Sequence, residues 1–485
     1  MPTVGDQIER HDVVVVGAGP AGLTAAITLA RQGVDCLVVE RRAELSALPR
    51  ATTVSLRTME RLRSWGIEAE VRAGGDDVEL LLWDCETLAS AAAGTAVDVG
   101  YPTRAQSAVL SPTSPASVPQ DHLESVLVGY LSRFPSVGVE LGAVVATVEP
   151  VAGASRLVLS SGRILEAQYV IAADGAHSAV RSSLGIPLDG SDRLADGLSV
   201  QFRAPLWDVV GRHRYCIYNV TGATVPCVLV PAGDGDRWVC GIEWNPEAER
   251  LTDYGPERLT DIIRRATGVP SLAPWLERIG TFSFAAQIAR RFRHGDVFLV
   301  GDAAHRVTPR GGTGMNTAVA GGFDLGWRLA WVLNGWAAPT LLDGYERERR
   351  PLAEHNVARS AAPDGSRRDA LNETHVDLGG RIVHHWVETP AGPVSTLDLI
   401  GEGLTLFTGP DGDPWRRAVG AVPGGPPVTV HRLDRVAARA LGIIGPGGAV
   451  LVRPDGVPVA GWSNPHRAPA RLRPETALLS SPGGR

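Results

Sequence analysis

Apolar residues follow two different rhythms along the chain. From His11 to Val16 four valines stand in succession and stop at Gly17, the pattern of a strand covered on both faces. From Pro20 to Gln32 the spacing changes. Pro20 opens the segment, Leu23 and Ile27 share one face, and Gly33 suits the position just past a helix end. Asp35–Glu40 returns to a continuous apolar run, so residues 11–40 predict a strand–helix–strand unit. Further helices are predicted over Ser55–Trp65, Val118–Phe134, Pro256–Thr267, Met315–Leu333 and Leu341–Ser360. Short strands are predicted at Val144–Glu149, Leu157–Ser160, Ile164–Val170 and Asp296–Val300. Between Ser182 and Thr281 the runs Leu198–Phe202, Tyr215–Val220, Pro226–Val230 and Trp238–Trp244 alternate with glycine-rich turns, which predicts an antiparallel sheet. The C-terminal stretch is rich in Gly and Pro, with strands expected at Leu404–Phe407 and Ala449–Val452.

Length and composition sharpen this outline. A chain of 485 residues suggests about three domains at roughly 150 residues each. There is no lysine, so the 47 basic residues are all arginine. Mechanisms that need a side-chain amine are excluded: a Schiff base, a Walker-type phosphate lysine, lysine-delivered halogenation. The net charge of −6 gives no reason to hold nucleic acid or an anionic membrane. Five cysteines without a CxxC pair argue against a disulfide framework or a zinc site, and no metal is expected. The polar segment Met1–Arg10 does not resemble a signal peptide, and glycines and Pro20 interrupt the valine run, so a cytoplasmic protein is expected.

The chemistry concentrates at glycines. In Gly17-Ala18-Gly19-Pro20-Ala21-Gly22, Gly17 makes a tight turn, Gly19 lets the backbone approach a pyrophosphate, and Gly22 permits close helix–strand packing. The helix N-terminus then holds the phosphate charge. Glu40, followed by Arg41, ends the next strand at the distance where an acid meets ribose hydroxyls. Two later segments each follow a strand: Asp174–Arg181, and Gly301-Asp302-Ala303-Ala304-His305 continuing to Pro309 and Gly311-Gly312-Thr313-Gly314-Met315-Asn316.

With these three motifs in order, residues 11 to about 350 resemble the class A flavoprotein monooxygenases, the single-component aromatic hydroxylases related to p-hydroxybenzoate hydroxylase and phenol hydroxylase. The resemblance implies FAD as cofactor, NAD(P)H as transient co-substrate and O2. It implies hydroxylation of an electron-rich ring through a flavin C4a-hydroperoxide. It places Asp302 at the ribityl chain, Pro309 beside the reactive flavin edge, and Gly312, Gly314 and Met315 against the isoalloxazine. Asn316 and Asp174 join the cofactor set, with Arg50 near the phosphates and Gln120 touching the flavin chain; Arg181 is expected to brace the Asp174 loop. One departure is Gly321-Gly322, where the family usually has Asp-Ala.

The C-terminal segment, with Arg381-Ile382-Val383, Ser395–Ile400 and Leu451–Gly456, resembles the thioredoxin-like tail of phenol hydroxylase and the aromatic polyketide hydroxylases, without cysteine. The implied fold class is α/β: a Rossmann-like FAD-binding domain in three parts (1–75, 104–181, 282–360), an interleaved antiparallel substrate domain (76–103, 182–281), a linker (361–379) and the tail domain (380–485). Tyr215, Tyr218 and Trp238 are candidate substrate contacts, and His213 or Tyr218 a candidate for assisting phenol deprotonation. A multi-ring polyketide phenol is the expected substrate, and a homodimer is one possible assembly. Baeyer–Villiger insertion or epoxidation on the same scaffold, and a non-catalytic flavin-binding relative, remain open.

Overall fold

A computed structural model describes residues 8–465 apart from 223–225, 234 and 420–424. The first part of the polar N-terminal segment and the last part of the tail therefore lie outside the described residues. Seven helices position the site: α1 (Pro20–Ala30), α2 (Leu56–Ser64), α3 (Gln120–Leu131), α4 (Pro256–Thr267), α5 (Gly314–Leu333), α6 (Asp343–Ala361) and α7 (Ala370–Leu378).

The valine run sits at the centre of a largely parallel sheet. Strands 297–299, 164–172, 9–16, 36–40 and 137–141 lie side by side in that order and in parallel. Val13, Val14 and Val15 are wholly buried, as strands covered on both faces require. α1 packs against α5, and the unusual glycines explain how. A Cβ at Gly322 would stand 2.2 Å from the Ala21 carbonyl oxygen, and one at Gly326 would stand 2.7 Å from Thr28 Cβ. The helical glycines forgo ~1 kcal/mol each of propensity so that two backbones can meet.

The second sheet has eight strands in the order 305–306, 275–289, 188–203, 237–244, 227–231, 215–220, 79–85, 95–98. It is not purely antiparallel as expected, because 215–220 runs parallel to 79–85. Strand 275–289 escaped the sequence pattern: much of its first half is exposed, so no apolar run marks it. Its pairing with 188–203 turns the expected short strand at Leu198–Phe202 into part of a 16-residue one. One face of this sheet is sealed by α4, whose Leu259, Ile262, Ile263 and Ala266 join its core.

The C-terminal sheet runs in the order 428–432, 404–408, 449–452, 458–462, with the first pair parallel and the later pairs antiparallel. Helices connect the parallel strands and lead into the third. This is the expected thioredoxin-like arrangement, and no cysteine lies in it.

The segment expected as a linker is folded. Residues 370–378 form α7, and Asp377 accepts from the Arg57 amide (3.1 Å) and the Ser55 hydroxyl (3.1 Å) at the start of α2. Beyond it, Arg381 donates to both carboxylate oxygens of Glu60 (3.0 and 2.6 Å). Burial raises the pKa of Glu60, but Arg57 and Arg381 together outweigh it and hold it below the usual carboxylate range. The tail is thus locked to α2 by a buried ion pair, and among the described residues no helix is long and apolar enough to cross a membrane.

Candidate active site

The first glycine turn leaves no room where the chain crosses itself. Gly17 has φ +111°, and a Cβ there would lie 2.4 Å from the Ala173 carbonyl oxygen. A Cβ at Gly22 would lie 2.0 Å from the Gly17 oxygen and 3.1 Å from Ala173 Cβ. At Gly19 the same construction meets nothing within 4 Å, so this one glycine faces open space. α1 starts at Pro20 without a side-chain cap, leaving the amides of its first turn directed outward, and Ala21 packs beside them. Glu40 secures the turn: one carboxylate oxygen accepts from the Ala18 amide (2.9 Å), the other from the Arg42 amide (3.0 Å).

A charged cluster gathers in front of this turn from distant parts of the chain. Arg50 interacts with Arg42, Glu124, Asp302 and Arg41. Partial burial, and next the charge of Arg42, lower its pKa, while Glu124 and Asp302 oppose them. Arg41 itself is exposed. Gln120, at the start of α3, donates to Glu124 (2.7 Å), and its amide bonds the Ala51 carbonyl (2.8 Å). Solvent reaches Asp302, yet protein crowds it: desolvation pushes its pKa up, against Arg306 and Arg50. Such a carboxyl faces a cleft rather than the outer surface. Sequence reasoning missed Arg42 and Glu124; the spacing of Glu124 four residues after Gln120 on α3 was the available signal.

Asp174 does other work than expected. Its carboxylate accepts from the Ser178 hydroxyl and the Val180 amide (3.1 Å), capping the short helix 179–183 rather than facing the cleft. Arg181 donates to the carbonyls of Ala303 (3.1 Å) and Ala176 (3.2 Å), so it ties the Asp174 and Asp302 loops together.

The second glycine loop is governed by dihedrals. Gly311 and Gly312 have φ +81° and +63°, the left-handed region that glycine enters freely. Gly314 does not: it is the first residue of α5 with ordinary φ, and a Cβ would press on Val307 Cγ2 at 2.8 Å. Pro309 is exposed. The amides of Gly314, Met315 and Asn316 precede the first helical bond, Thr317 N to Thr313 O, and no side chain caps them. The buried hydroxyl oxygen of Thr313 has no hydrogen-bond partner among the described residues. Asn316 is different. Its carbonyl oxygen accepts from the Ser55 amide (2.8 Å), and its amide nitrogen donates to the carbonyls of Thr53 (3.0 Å) and Gly312 (3.2 Å). Its side chain is spent on pinning the loop. Tyr101, unforeseen in the sequence, donates to the Gly312 carbonyl at 2.9 Å.

On the second sheet the aromatic candidates turn away from the cleft, which corrects the expected substrate contacts. Tyr218 and Trp238 are fully buried on the α4 side with Leu198, Val200 and Phe202. Tyr218 donates to the His213 carbonyl (2.6 Å) and accepts from the Tyr215 amide (3.0 Å). Burial pushes its phenol pKa up, so it is no proton acceptor. Tyr215 stacks on Trp83, ring centres 4.2 Å apart. The physical reason is strand alternation: bulky rings seal the sheet against α4. The opposite face carries the short, half-buried Ser199, Val228, Val230, Val239 and Gly241. That face looks toward the body built on the parallel sheet, since its Arg237 reaches Asp121 of α3 (2.7 Å) and its Phe284 lies under the guanidinium of Arg310, 5.2 Å from the ring centre.

These features fit FAD: an open glycine at an uncapped helix start, a cation and a cleft-facing carboxyl along the way, and a second uncapped helix with an orphaned hydroxyl at the far end. The comparisons agree. The FAD binding domain family model matches residues 10–360, and the aromatic-ring hydroxylase C-terminal model matches residues 375–480. The chain is 34% identical to aklavinone 12-hydroxylase RdmE of Streptomyces purpurascens, over 92% of this chain and 94% of the relative. It is 32% identical to tetracenomycin A2 monooxygenase-dioxygenase of Streptomyces glaucescens, over 92% of each. A solved ternary complex of aklavinone-11 hydroxylase with FAD and aklavinone superposes with a TM-score of 0.85 at 32% identity, covering 96% of this chain and 98% of that one. With both family models matched across nearly the whole described chain, this protein belongs to the FAD-dependent aromatic-ring hydroxylases.

Proposed function

We propose that this enzyme hydroxylates a planar multi-ring phenol of the polyketide type, taking reducing equivalents from NAD(P)H and one oxygen atom from O2. The observation that carries this reading is the cleft-facing side of the second sheet. Ser199, Val228, Val230, Val239 and Gly241 offer a low, mostly apolar surface on the sheet face that also carries Phe284, where Arg310 of the second glycine loop rests, suited to a flat polycycle. The similarity to aklavinone hydroxylases supports the same substrate class.

FAD, when bound, accepts hydride from the nicotinamide and passes the electrons to O2. The chain's residues hold and orient. The α1 amides and Gly19 receive the pyrophosphate, with Arg50 supplying positive charge and Glu40 holding the turn beside the ribose. Asp302 accepts from the ribityl hydroxyls. The uncapped amides of Gly314 and Met315 would stabilise negative charge developing on the reduced ring, a preorganised stabilisation of the oxyanion-hole kind. Pro309 would border the reacting edge, and the apolar sheet face turned toward the cleft would limit the water that otherwise releases peroxide.

The test is substrate-stimulated NAD(P)H oxidation by the purified yellow protein, across anthraquinone and naphthacene phenols and single-ring phenols. Stimulation by the tricyclic and tetracyclic compounds, with a hydroxyl on an intact ring in the product, supports the reading. Stimulation confined to single rings, or a product with oxygen inserted into a carbon–carbon bond, overturns it. Val228→Phe should raise the substrate KM by crowding that face, whereas a conservative change at Trp238 should alter stability and leave KM alone.

A further inference from the structure

We propose that the cavity between the flavin-binding body and the C-terminal domain binds a phosphate-bearing anion, held by Arg61 with Arg57 and Arg349. The cavity measures about 640 Å³ and lies between α2, the start of α5, α6, α7 and the C-terminal strand near Val457. Arg50, Asp302 and Pro309 are not among its walls, whereas Tyr101, Thr313 and Asn316 are, so it adjoins the second glycine loop and leaves out the Gly17–Gly22 turn and the Arg50 cluster.

Six arginines and four carboxylates line it, and the pairing inside is uneven. Arg453 is taken by Glu348 and Asp455, and Arg359 by Glu373. Arg57 bonds Glu60 and the Asp455 carbonyl. Arg61 is 7% exposed, and its Nε and Nη1 have no hydrogen-bond partner among the described residues. The ring of Phe323 covers one face of its guanidinium, 4.5 Å away. Burial, then the charges of Arg57 and Arg349, lower its pKa to about 9, with Asp455 and Asp377 opposing, so it stays cationic at neutral pH. Arg349 Nε also lacks a hydrogen-bond partner among the described residues; it stands 3.7 Å from a carboxylate oxygen of Asp324.

A buried guanidinium with idle donors is costly unless an anion meets it. Three arginines from two helices, converging on one space, suit an oxyanion with several acceptor oxygens better than a single carboxylate. The neighbouring acids Asp324, Glu348 and Asp455 do not turn the site into a cation site, because Arg328 and Arg453 already occupy them. The volume far exceeds one ion, and Leu352, Val376, Val457 and Val459 give an apolar wall for an organic group. The phosphate has two sources: the NAD(P)H co-substrate, which rests on the function proposed above, or free inorganic phosphate, which does not.

The experiment uses the flavin-loaded full chain, wild type and Arg61→Met. Melting is followed against inorganic phosphate and against NADP+, each beside chloride at matched ionic strength; KM for NADPH is measured with the best phenol. The expected result is a phosphate-dependent or nucleotide-dependent rise in Tm for wild type that Arg61→Met loses, while Arg61→Met melts higher than wild type without phosphate. A KM for NADPH raised about tenfold or more with kcat retained assigns the site to the co-substrate. An unchanged KM with a lost phosphate response assigns it to free phosphate. Wild-type melting no different from the chloride control, or an equal response in Arg61→Met, overturns the proposal. If Arg61→Met does not fold, Arg349→Gln is read by the same criteria, and an unaltered response in it also overturns the proposal. Failure to find any stimulating phenol would sink the proposed function but leave the phosphate arm intact.

Discussion

The two glycine loops look alike in sequence and are held by different physics. At Gly17–Gly22 the backbone passes so close to itself that Gly17 and Gly22 have no space for a methyl group. At Gly311–Gly314 the near atoms belong to side chains and not to backbone: Arg359 Nη2 at 2.9 Å from a Cβ at Gly311, Val307 Cγ2 at 2.8 Å from one at Gly314, and only the Tyr101 hydroxyl at 3.4 Å from one at Gly312, where φ is +63°. The first loop needs glycine for packing, the second for dihedral freedom. The first is therefore part of the fold, and the second can be disturbed while the fold survives.

The sharpest way to break that contrast is Gly22→Val. Its side chain must displace the Gly17 carbonyl and the strand behind it, so a loss above ~4 kcal/mol and little soluble protein are expected. Yellow, normally melting Gly22→Val protein would end the packing explanation. Between the loops, Asp302→Asn should weaken FAD binding about ten- to a hundredfold, measured by fluorescence titration of the apoprotein. The same change should stabilise the apoprotein at neutral pH. The folded pKa of Asp302 lies above its unfolded value, so the ionised carboxyl costs stability, and that cost grows as pH rises from the ordinary carboxylate range through the raised value. Melting of wild-type apoprotein against pH should show this decline, and Asp302→Asn should flatten it.

Gly312→Ala should lower stability by only ~1 kcal/mol while slowing anaerobic flavin reduction, because the loop must turn its backbone to relieve the strained φ. If its melting fell as far as that of Gly22→Val, the second loop would be a packing element after all. Gly314 is a poorer probe of dihedral strain, since its φ is ordinary. Smallest of all, Tyr101→Phe removes the donor to the Gly312 carbonyl and should lower Tm by the equivalent of ~0.5–1.5 kcal/mol, with a measurable shift in flavin reduction rate.

Removal of the tail is a different kind of test. Ending the chain near Gly365 would strip Glu60 of Arg381 and the α2 start of Asp377. Breaking a buried ion pair typically costs ~3–5 kcal/mol, so the absence of redox cysteines does not make the tail dispensable.

The sequence by itself determined what short-range geometry dictates. Valines in succession, glycines at fixed offsets and an acid ending the next strand fix a βαβ turn within about thirty residues, where few arrangements are sterically open. The order of the three motifs carried the family and FAD. Tertiary structure decided whatever depends on a partner far along the chain. Asn316 and Asp174 carry the expected residue types at the expected places, yet their side chains bind protein, because Ser55, Thr53 and Ser178 happen to meet them. Tyr218 and Trp238 read equally well as cleft or core, since alternation gives two faces and only α4 says which one is sealed. Gly322 and the α7 segment read as a helix weakness and a linker until Ala21 and the start of α2 supplied their contacts. Local sterics can be read from neighbours in sequence; the environment of a side chain is set by neighbours in space.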